Sequence, residues 1–291
     1  MLRALLRAMR PKQWSKNVFV FVGMFFDGHI YLGRILATMA AFGLFCLLSS
    51  AVYLINDLSD LERDRLHPKK RHRPLASGAL SPRVAWVAAL IILGGGLPVS
   101  FLLSPGFGGV ALFYVALMLA YTFYLKHVVI IDVMVVATGF VLRVLAGITV
   151  ITVTRFSPWL FVCTTLLSLF IAINKRRHEL LLLAEEANNH RTSLQEYTES
   201  FLDHMTSLVT ATLLTAYSFY TFSAPNLPTN HAMMLTIPIA LYGVFRYLYL
   251  VHAKGLGGDP EELVMEDKPL LLALVLWVLT AGLVIYWPVL L

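Results

Sequence analysis

The 291 residues are 58% hydrophobic and only 14% charged, with a mean hydropathy of +0.73 and a formal net charge of +6. Apolar runs near the ~20 residues needed to cross hydrocarbon recur along nearly the whole chain, which leaves no room for a soluble domain. Strand-like alternation at ten-residue spacing is absent, so an all-α polytopic membrane protein is expected, as one domain over 1–291, and not a transmembrane barrel.

In chain order, Met1–Asn17 carries Arg3, Arg7, Arg10, Lys12 and Lys16 and no long apolar core, so a cleavable signal is not expected. On a helix, Arg3, Arg7 and Arg10 share a face opposite the leucines. Residues 1–13 therefore read as an amphipathic segment along an anionic membrane surface, or as plain positive-inside anchoring. Nine spans are predicted, at 14–27, 35–56, 82–103, 106–125, 129–151, 157–175, 203–223, 232–252 and 269–289, the first being the shortest. With the N-terminus inside, every one of the 23 Lys and Arg residues except Arg34, Arg143, Arg155 and Arg246 falls on the cytoplasmic side or at its edge. The C-terminus is then outside. Cys46 and Cys163 lie in apolar runs and read as packing residues.

The stretch with most chemistry is Asn56-Asp57-Leu58-Ser59-Asp60-Leu61-Glu62-Arg63-Asp64, at the end of the second apolar run. On one continuous helix, Asp57, Asp60 and Asp64 would fall within roughly 60° of one another, with Asn56 extending the face. Such an oxygen-rich set suits Mg²⁺ bridging to phosphates; the bland alternative is a solvated acidic helix end pairing with nearby bases. The basic run His67-Pro68-Lys69-Lys70-Arg71-His72-Arg73-Pro74 follows, and its prolines place it on a loop beside the acids. Two further polar connections follow: Asn174–Asp203, where Lys175-Arg176-Arg177-His178-Glu179 is expected to begin a polar helix, and Gly255–Pro269, which contains Gly257-Gly258-Asp259-Pro260.

Ionisable residues inside spans are costly and need a reason. Asp132 and Arg143 share a face of the fifth span; Asp132 could ligate a cation and Arg143 reach a phosphate, or Asp132 could pair with a neighbouring helix. Arg246 reads as snorkelling to headgroups or as catalytic. Gly94-Gly95-Gly96 and Ala146-Gly147 are small enough for close helix contact.

No Ser–His–Asp or Cys–His arrangement, zinc spacing or Gly-Lys-Ser phosphate loop is evident. Acids for Mg²⁺ together with many cations on one membrane face suit departure of a diphosphate. The electrophilic carbon is allylic or anomeric; these residues alone do not separate the two. The basic surplus is expected to meet lipid phosphate or a soluble phosphate ester. Nucleic acid is not expected, since no aromatic–basic interleaving occurs. A transporter is the reading from another class, weakened by charges gathered at one face instead of the midplane.

Asn56-Asp57-x-x-Asp60-x-x-x-Asp64, nine spans and a later Asp132 resemble the UbiA superfamily of membrane prenyltransferases across essentially the whole chain. The stretches Arg10-Pro11-Lys12-Gln13-Trp14-Ser15-Lys16-Asn17, His67-Pro68-Lys69-Lys70-Arg71-His72-Arg73-Pro74 and Lys175-Arg176-Arg177-His178-Glu179-Leu180, with Leu125-Lys126-His127, Asp132, Leu142-Arg143, Arg191, Tyr197 and Asp259-Pro260-Glu261, more narrowly resemble its decaprenyl-phosphate phosphoribosyltransferase branch. Typical prenyltransferases carry a second pair of aspartates four apart; here Val128 and Val136 flank a lone Asp132, which speaks against two symmetric metal clusters, and the abundance of basic groups suits a second phosphate, such as the 5-phosphate of a ribosyl donor, better than an aromatic acceptor. The resemblance implies a UbiA-like bundle around a cytoplasm-facing cavity in the cell membrane. It implies Mg²⁺ on Asn56, Asp57, Asp60 and Asp64, with Asp132 completing the polar site. Lys12, Lys16, Asn56, Arg71, Arg73, Lys126, Arg143, Lys175, Arg176, Arg191 and Tyr197 would bind substrate. The implied reaction moves 5-phosphoribosyl from phosphoribosyl diphosphate to a polyprenyl phosphate for cell-wall arabinan; prenyl transfer to an aromatic or lipid acceptor is the alternative. A homo-oligomer is compatible with this reading.

Overall fold

The structure, a computed structural model, describes residues 1–68, 70–151, 153, 157–185, 196–258 and 260–290. Among them the regular structure is entirely helical. In chain order the α-helices are α1 Leu2–Ala8, α2 Val22–Asp27, α3 Leu32–Ser59, α4 Leu61–Leu66, α5 Pro82–Leu103, α6 Pro105–Phe123, α7 Ile131–Val150, α8 Pro158–Glu185, α9 Glu199–Ser223, α10 Ile237–His252, α11 Pro260–Glu266 and α12 Lys268–Leu290. A 3₁₀-helix, Pro11–Phe21, links α1 to α2.

Among the described residues seven helical stretches are long and apolar enough to cross a membrane: Leu32–Ser59, Pro82–Leu103, Pro105–Phe123, Ile131–Val150, Pro158–Leu181, Ala232–His252 and Lys268–Trp287. They coincide with seven of the nine predicted spans. The span predicted at 14–27 is instead the 3₁₀-helix Pro11–Phe21 followed by the six-residue α2. The one at 203–223 is the helix α9, whose first turns carry Glu199 and Asp203.

Boundaries follow local chemistry. Pro82 and Pro105 occupy first-turn positions, where a missing N–H costs nothing. Ser104 and Thr198 cap α6 and α9 by accepting from Phe107 N and Phe201 N. The helix α8 differs from expectation: the basic run Lys175–Arg177 does not start a separate polar helix but continues the apolar one to Glu185. Twenty-eight residues make a rod of about 42 Å, longer than the hydrocarbon core.

The chain divides into two compact units, one of Met1–Met24, Ile30–Val135 and Leu142–Thr152, the other of Phe25–His29, Val136–Val141 and Val153–Leu291. In the first, α3 packs against α5, α6 and the 3₁₀-helix. One buried cluster there joins Val20, Phe45, Leu48, Phe107, Tyr114 and Ala146; another joins Ala8 and Met9 to Leu54, Leu75 and Leu80. Gly147 permits α7 to touch the 3₁₀-helix, since a Cβ there would overlap the carbonyl of Val20. Gly94 and Gly95, expected at a close helix contact, face open space, and only Gly96 meets a neighbour, Leu48. In the second unit α8 lies along α9, and α10 along α12, over a core of Phe170, Leu213, Tyr247, Leu250 and Leu270.

Candidate functional site

The acidic motif is not on one helix. The helix α3 ends at Ser59, Asp60 caps it at φ −95° and ψ 7°, and α4 carries Asp64. Backbone bonds from Asp60 N to Asn56 O and from Asp64 N to Asp60 O keep the chain coiled through this bend. Asp57 and Asp64 are buried, at 2% and 4% exposure, and Asp60 is half-buried.

Each carboxylate meets a cation from elsewhere in the first unit. Arg73 Nη1 donates to Asp64 Oδ2 at 2.6 Å and lies 3.3 Å from Asp57 Oδ1. Arg10 Nη2 donates to that same Asp57 oxygen. Lys126 Nζ, itself buried, donates to Asp60 Oδ1 at 2.7 Å. Isolated buried carboxylates are expensive, whereas paired ones are tolerated. The side-chain oxygen of Asn56 accepts from Thr122 Oγ1 at 3.5 Å.

The supporting residues follow from the fold. Arg73 comes from the loop after α4, where the turn Lys70–His72 precedes buried Pro74 and Leu75. Arg10 stands at the junction of α1 and the 3₁₀-helix in a left-handed conformation, φ 55° and ψ 61°. Pro11 disfavours the right-handed helical region for the residue before it, so α1 stops and Arg10 leaves the Arg3–Arg7 face. The amphipathic segment predicted for 1–13 is thus α-helical only over Leu2–Ala8, and its last residues, from Pro11, open the 3₁₀-helix. Its Ala8 and Met9 are buried, while Leu2 and Leu6 are exposed. The Arg10 guanidinium also lies 4.9 Å from the Tyr53 ring centre.

A ladder of polar contacts lays the N-terminal segment along α3. Trp14 Nε1 donates to Ser50 Oγ at 3.0 Å, and Asn17 Nδ2 donates to Ser49 Oγ at 3.2 Å. Arg143, expected to reach phosphate, is buried; its Nε donates to Asn17 Oδ1 at 2.8 Å and its Nη2 to Tyr114 Oη at 3.0 Å. Asp132 is fully buried in the first turn of α7, where a carboxylate suits the helix dipole. The residue before that helix, Ile130, has φ 69°, a strained value for a β-branched side chain.

Of the remaining expected residues, Lys12 and Arg71 are exposed and Lys16 is half-buried, all in the first unit. In the second unit, Arg176 is buried and paired with Glu179, Lys175 is half-buried, and Tyr197 is buried with its ring stacked on Phe201. Arg177 donates to Asp203 at 2.6 Å and to Glu199, tying α8 to α9. Arg191 and Asp259 lie outside the described residues. Arg246 makes a two-pronged pair with Asp267, at 3.1 and 2.7 Å, instead of reaching out alone. Arg10 and Thr122 were not among the expected site residues. Arg10 opens the Arg-Pro-Lys-Gln-Trp-Ser-Lys-Asn stretch, which was the signal available for it.

The donor set fits a hard dication. Carboxylates and an amide supply oxygens only, and Arg73 Nη1 already marks a point within 3.3 Å of two of them. Among the described residues no three acid, His or Cys side chains are gathered around one such point, so a third ligand would come from Asn56, from the substrate, or from Asp60 once released by Lys126.

Residues 17–261 match the model of the UbiA prenyltransferase family. The chain is 33% identical to a decaprenyl-phosphate phosphoribosyltransferase of Mycolicibacterium smegmatis, over 97% of this chain and 92% of that one. It is also 33% identical to the enzyme of the same name from Corynebacterium glutamicum, over 97% and 86%. A solved UbiA homologue from Archaeoglobus fulgidus, bound to GPP and Mg²⁺, has the same fold, with a TM-score of 0.72 at 16% identity over 97% of this chain and 99% of that one. With its acidic motif on α3 and α4 and its all-helical, membrane-spanning architecture, the chain belongs to the UbiA prenyltransferase family and is a multi-pass membrane transferase.

Proposed function

We propose that the protein transfers the 5-phosphoribosyl group of phosphoribosyl diphosphate to a polyprenyl phosphate, releasing diphosphate, as a step toward cell-wall arabinan. The observation that carries this reading is full-length similarity to decaprenyl-phosphate phosphoribosyltransferases. It is joined by an acidic cluster in which every carboxylate is met by a cation. Asp57 and Asp64, with Asp60 and Asn56, would hold Mg²⁺, which neutralises charge on the diphosphate. Arg10, Arg73 and Lys126 stand on those carboxylates and supply further positive charge where the leaving oxygens develop theirs. The lipid phosphate oxygen forms the new bond to ribose C1 as the C1–diphosphate bond breaks. That oxygen is already anionic near neutral pH, so no side chain needs to remove a proton.

In this reading the N-terminus and the active site face the cytoplasm and the C-terminus lies outside, in keeping with the distribution of basic residues. The runner-up is transfer of a prenyl group from its diphosphate, favoured by the fold shared with a homologue solved with GPP and Mg²⁺. Purified protein incubated with phosphoribosyl diphosphate labelled in the ribose, polyprenyl phosphate and Mg²⁺ tests the choice. Label passing into the lipid-extractable fraction supports phosphoribosyl transfer. Product formed only from a prenyl diphosphate overturns it.

A further inference from the structure

Around Asp57 and Asp64 the charges close on themselves. Two carboxylates face two guanidinium groups, with Arg73 Nη1 touching both acids and Arg10 sharing the Asp57 oxygen that Arg73 approaches. The acids are nearly inaccessible while both arginines are about one quarter exposed. The exposed edge of this cluster is therefore cationic, and its buried edge is anionic.

We infer that Arg10 and Arg73 are exchangeable counter-ions: they hold the carboxylates in the metal-free protein, and on loading they hand them to a divalent cation and turn to the diphosphate that arrives with it. This rests on the metal-cradle reading above and assigns Arg10, from the N-terminal segment, a positioning role that neither the motif nor its spacing shows. The charge count motivates it. A dication between Asp57 and Asp64 replaces two guanidinium charges at once, so both arginines lose their partners together. Left without anions at a half-buried position, they oppose metal binding; given a diphosphate, they favour it. The metal and the diphosphate thus become thermodynamically coupled through two side chains that change partner.

The arrangement has a geometric basis. Arg10 is fixed by its left-handed turn before Pro11, by the Tyr53 ring and by Trp14 on Ser50 four residues later. Its reach toward Asp57 is set by backbone and packing, and only the outer guanidinium has to move.

The test measures metal and ligand binding without turnover. Wild-type protein in nanodiscs is titrated with Mg²⁺ alone, and separately with pyrophosphate at saturating Mg²⁺; Arg10→Gln, Arg73→Gln and the exposed control Arg63→Gln are treated alike. For either counter-ion variant we expect Mg²⁺ to bind about tenfold tighter and Mg²⁺–pyrophosphate about tenfold weaker, a typical coupling between two sites. For Arg63→Gln both should shift by less than about twofold, as expected for a screened surface charge. A structural role alone would weaken both ligands together, and that result, or no change in Mg²⁺ affinity, overturns the exchange. Wild-type protein that binds neither ligand overturns the metal-cradle reading itself. Two independent variants keep the test open should one fail to fold.

Discussion

The side-chain oxygen of Asn17 accepts a hydrogen bond from Arg143 Nε at 2.8 Å, joining the N-terminal segment to α7 across 126 residues of chain. A guanidinium buried this deeply is tolerable only while its donors are met. Asn17→Leu removes that acceptor and should lower stability by about 1–3 kcal/mol. Thermal unfolding in detergent would register it, and transfer activity per folded molecule should stay near wild type. A specific activity that falls instead would return Arg143 to the phosphate-binding role that its position in a span suggested.

The carboxylates make a sharper demand. Asp57→Asn and Asp64→Asn preserve shape but remove the charge that Arg73 and Arg10 neutralise. Each should reduce Mg²⁺-dependent transfer by about 10²–10³-fold, the scale seen when one group stabilising transition-state charge is lost. The measurement is initial rate against Mg²⁺ concentration, with membrane insertion checked in parallel. Full activity in either variant sinks the metal assignment.

Close packing in the first unit gives a contrast between two glycines. A Cβ at residue 147 would overlap the Val20 carbonyl, whereas one at residue 94 meets nothing within 4 Å. Gly147→Ala should therefore destabilise by about 1–3 kcal/mol through overpacking. Gly94→Ala should be neutral or slightly stabilising, because alanine is the better helix former. Unfolding temperatures of the two variants check the difference.

Asp267, outside the spans, supplies a pH dependence. Its hydrogen bond from the Arg246 guanidinium holds the carboxyl below its ordinary range, and the backbone bond from Leu270 N adds to this. A lowered folded pKa means the contribution to stability is present above the ordinary carboxylate value and is lost as pH falls through the lowered one. Arg246→Gln should lower stability above the ordinary carboxylate range, a shift that closes at low pH where the profile meets the wild-type one, since the variant has no such contribution to lose. Unfolding followed across the acid range would show the shift; coincident profiles would mean the pair adds nothing.

Much of this architecture was legible in the sequence, because hydrophobic period and length are read directly from residues. Seven spans follow from that logic, and the prolines behind the acids mark the loop that carries Arg73. What escaped it was local backbone behaviour. Asp57, Asp60 and Asp64 have helical spacing, yet the chain bends at Asp60, and nothing in Leu58–Leu61 announces the bend. Arg10 sat on the same projected face as Arg3 and Arg7, but Pro11 turned it out of the helix and onto Asp57. Arg143 and Arg246 stood out as charged residues in spans, but their partners Asn17 and Asp267 are distant in sequence or beyond the span end. Pairings of that kind are tertiary facts, which a one-dimensional pattern does not carry.

The uninterrupted run of α8 from Pro158 to Glu185 has a mechanical consequence. A rod of about 42 Å outreaches a hydrocarbon core of ~30 Å by two turns or more, and Lys175, Arg176 and Arg177 lie in its distal half. Drawing the half-buried Lys175 into lipid costs about 2.5–3.5 kcal/mol, far more than changing the tilt of a helix, and the two arginines beside it, buried in ion pairs, move with it. In a thicker bilayer the rod would stand more upright, and in a thinner one it would lean. The lipid headgroups, and not the bilayer's thickness, therefore fix the height at which this arginine pair is presented.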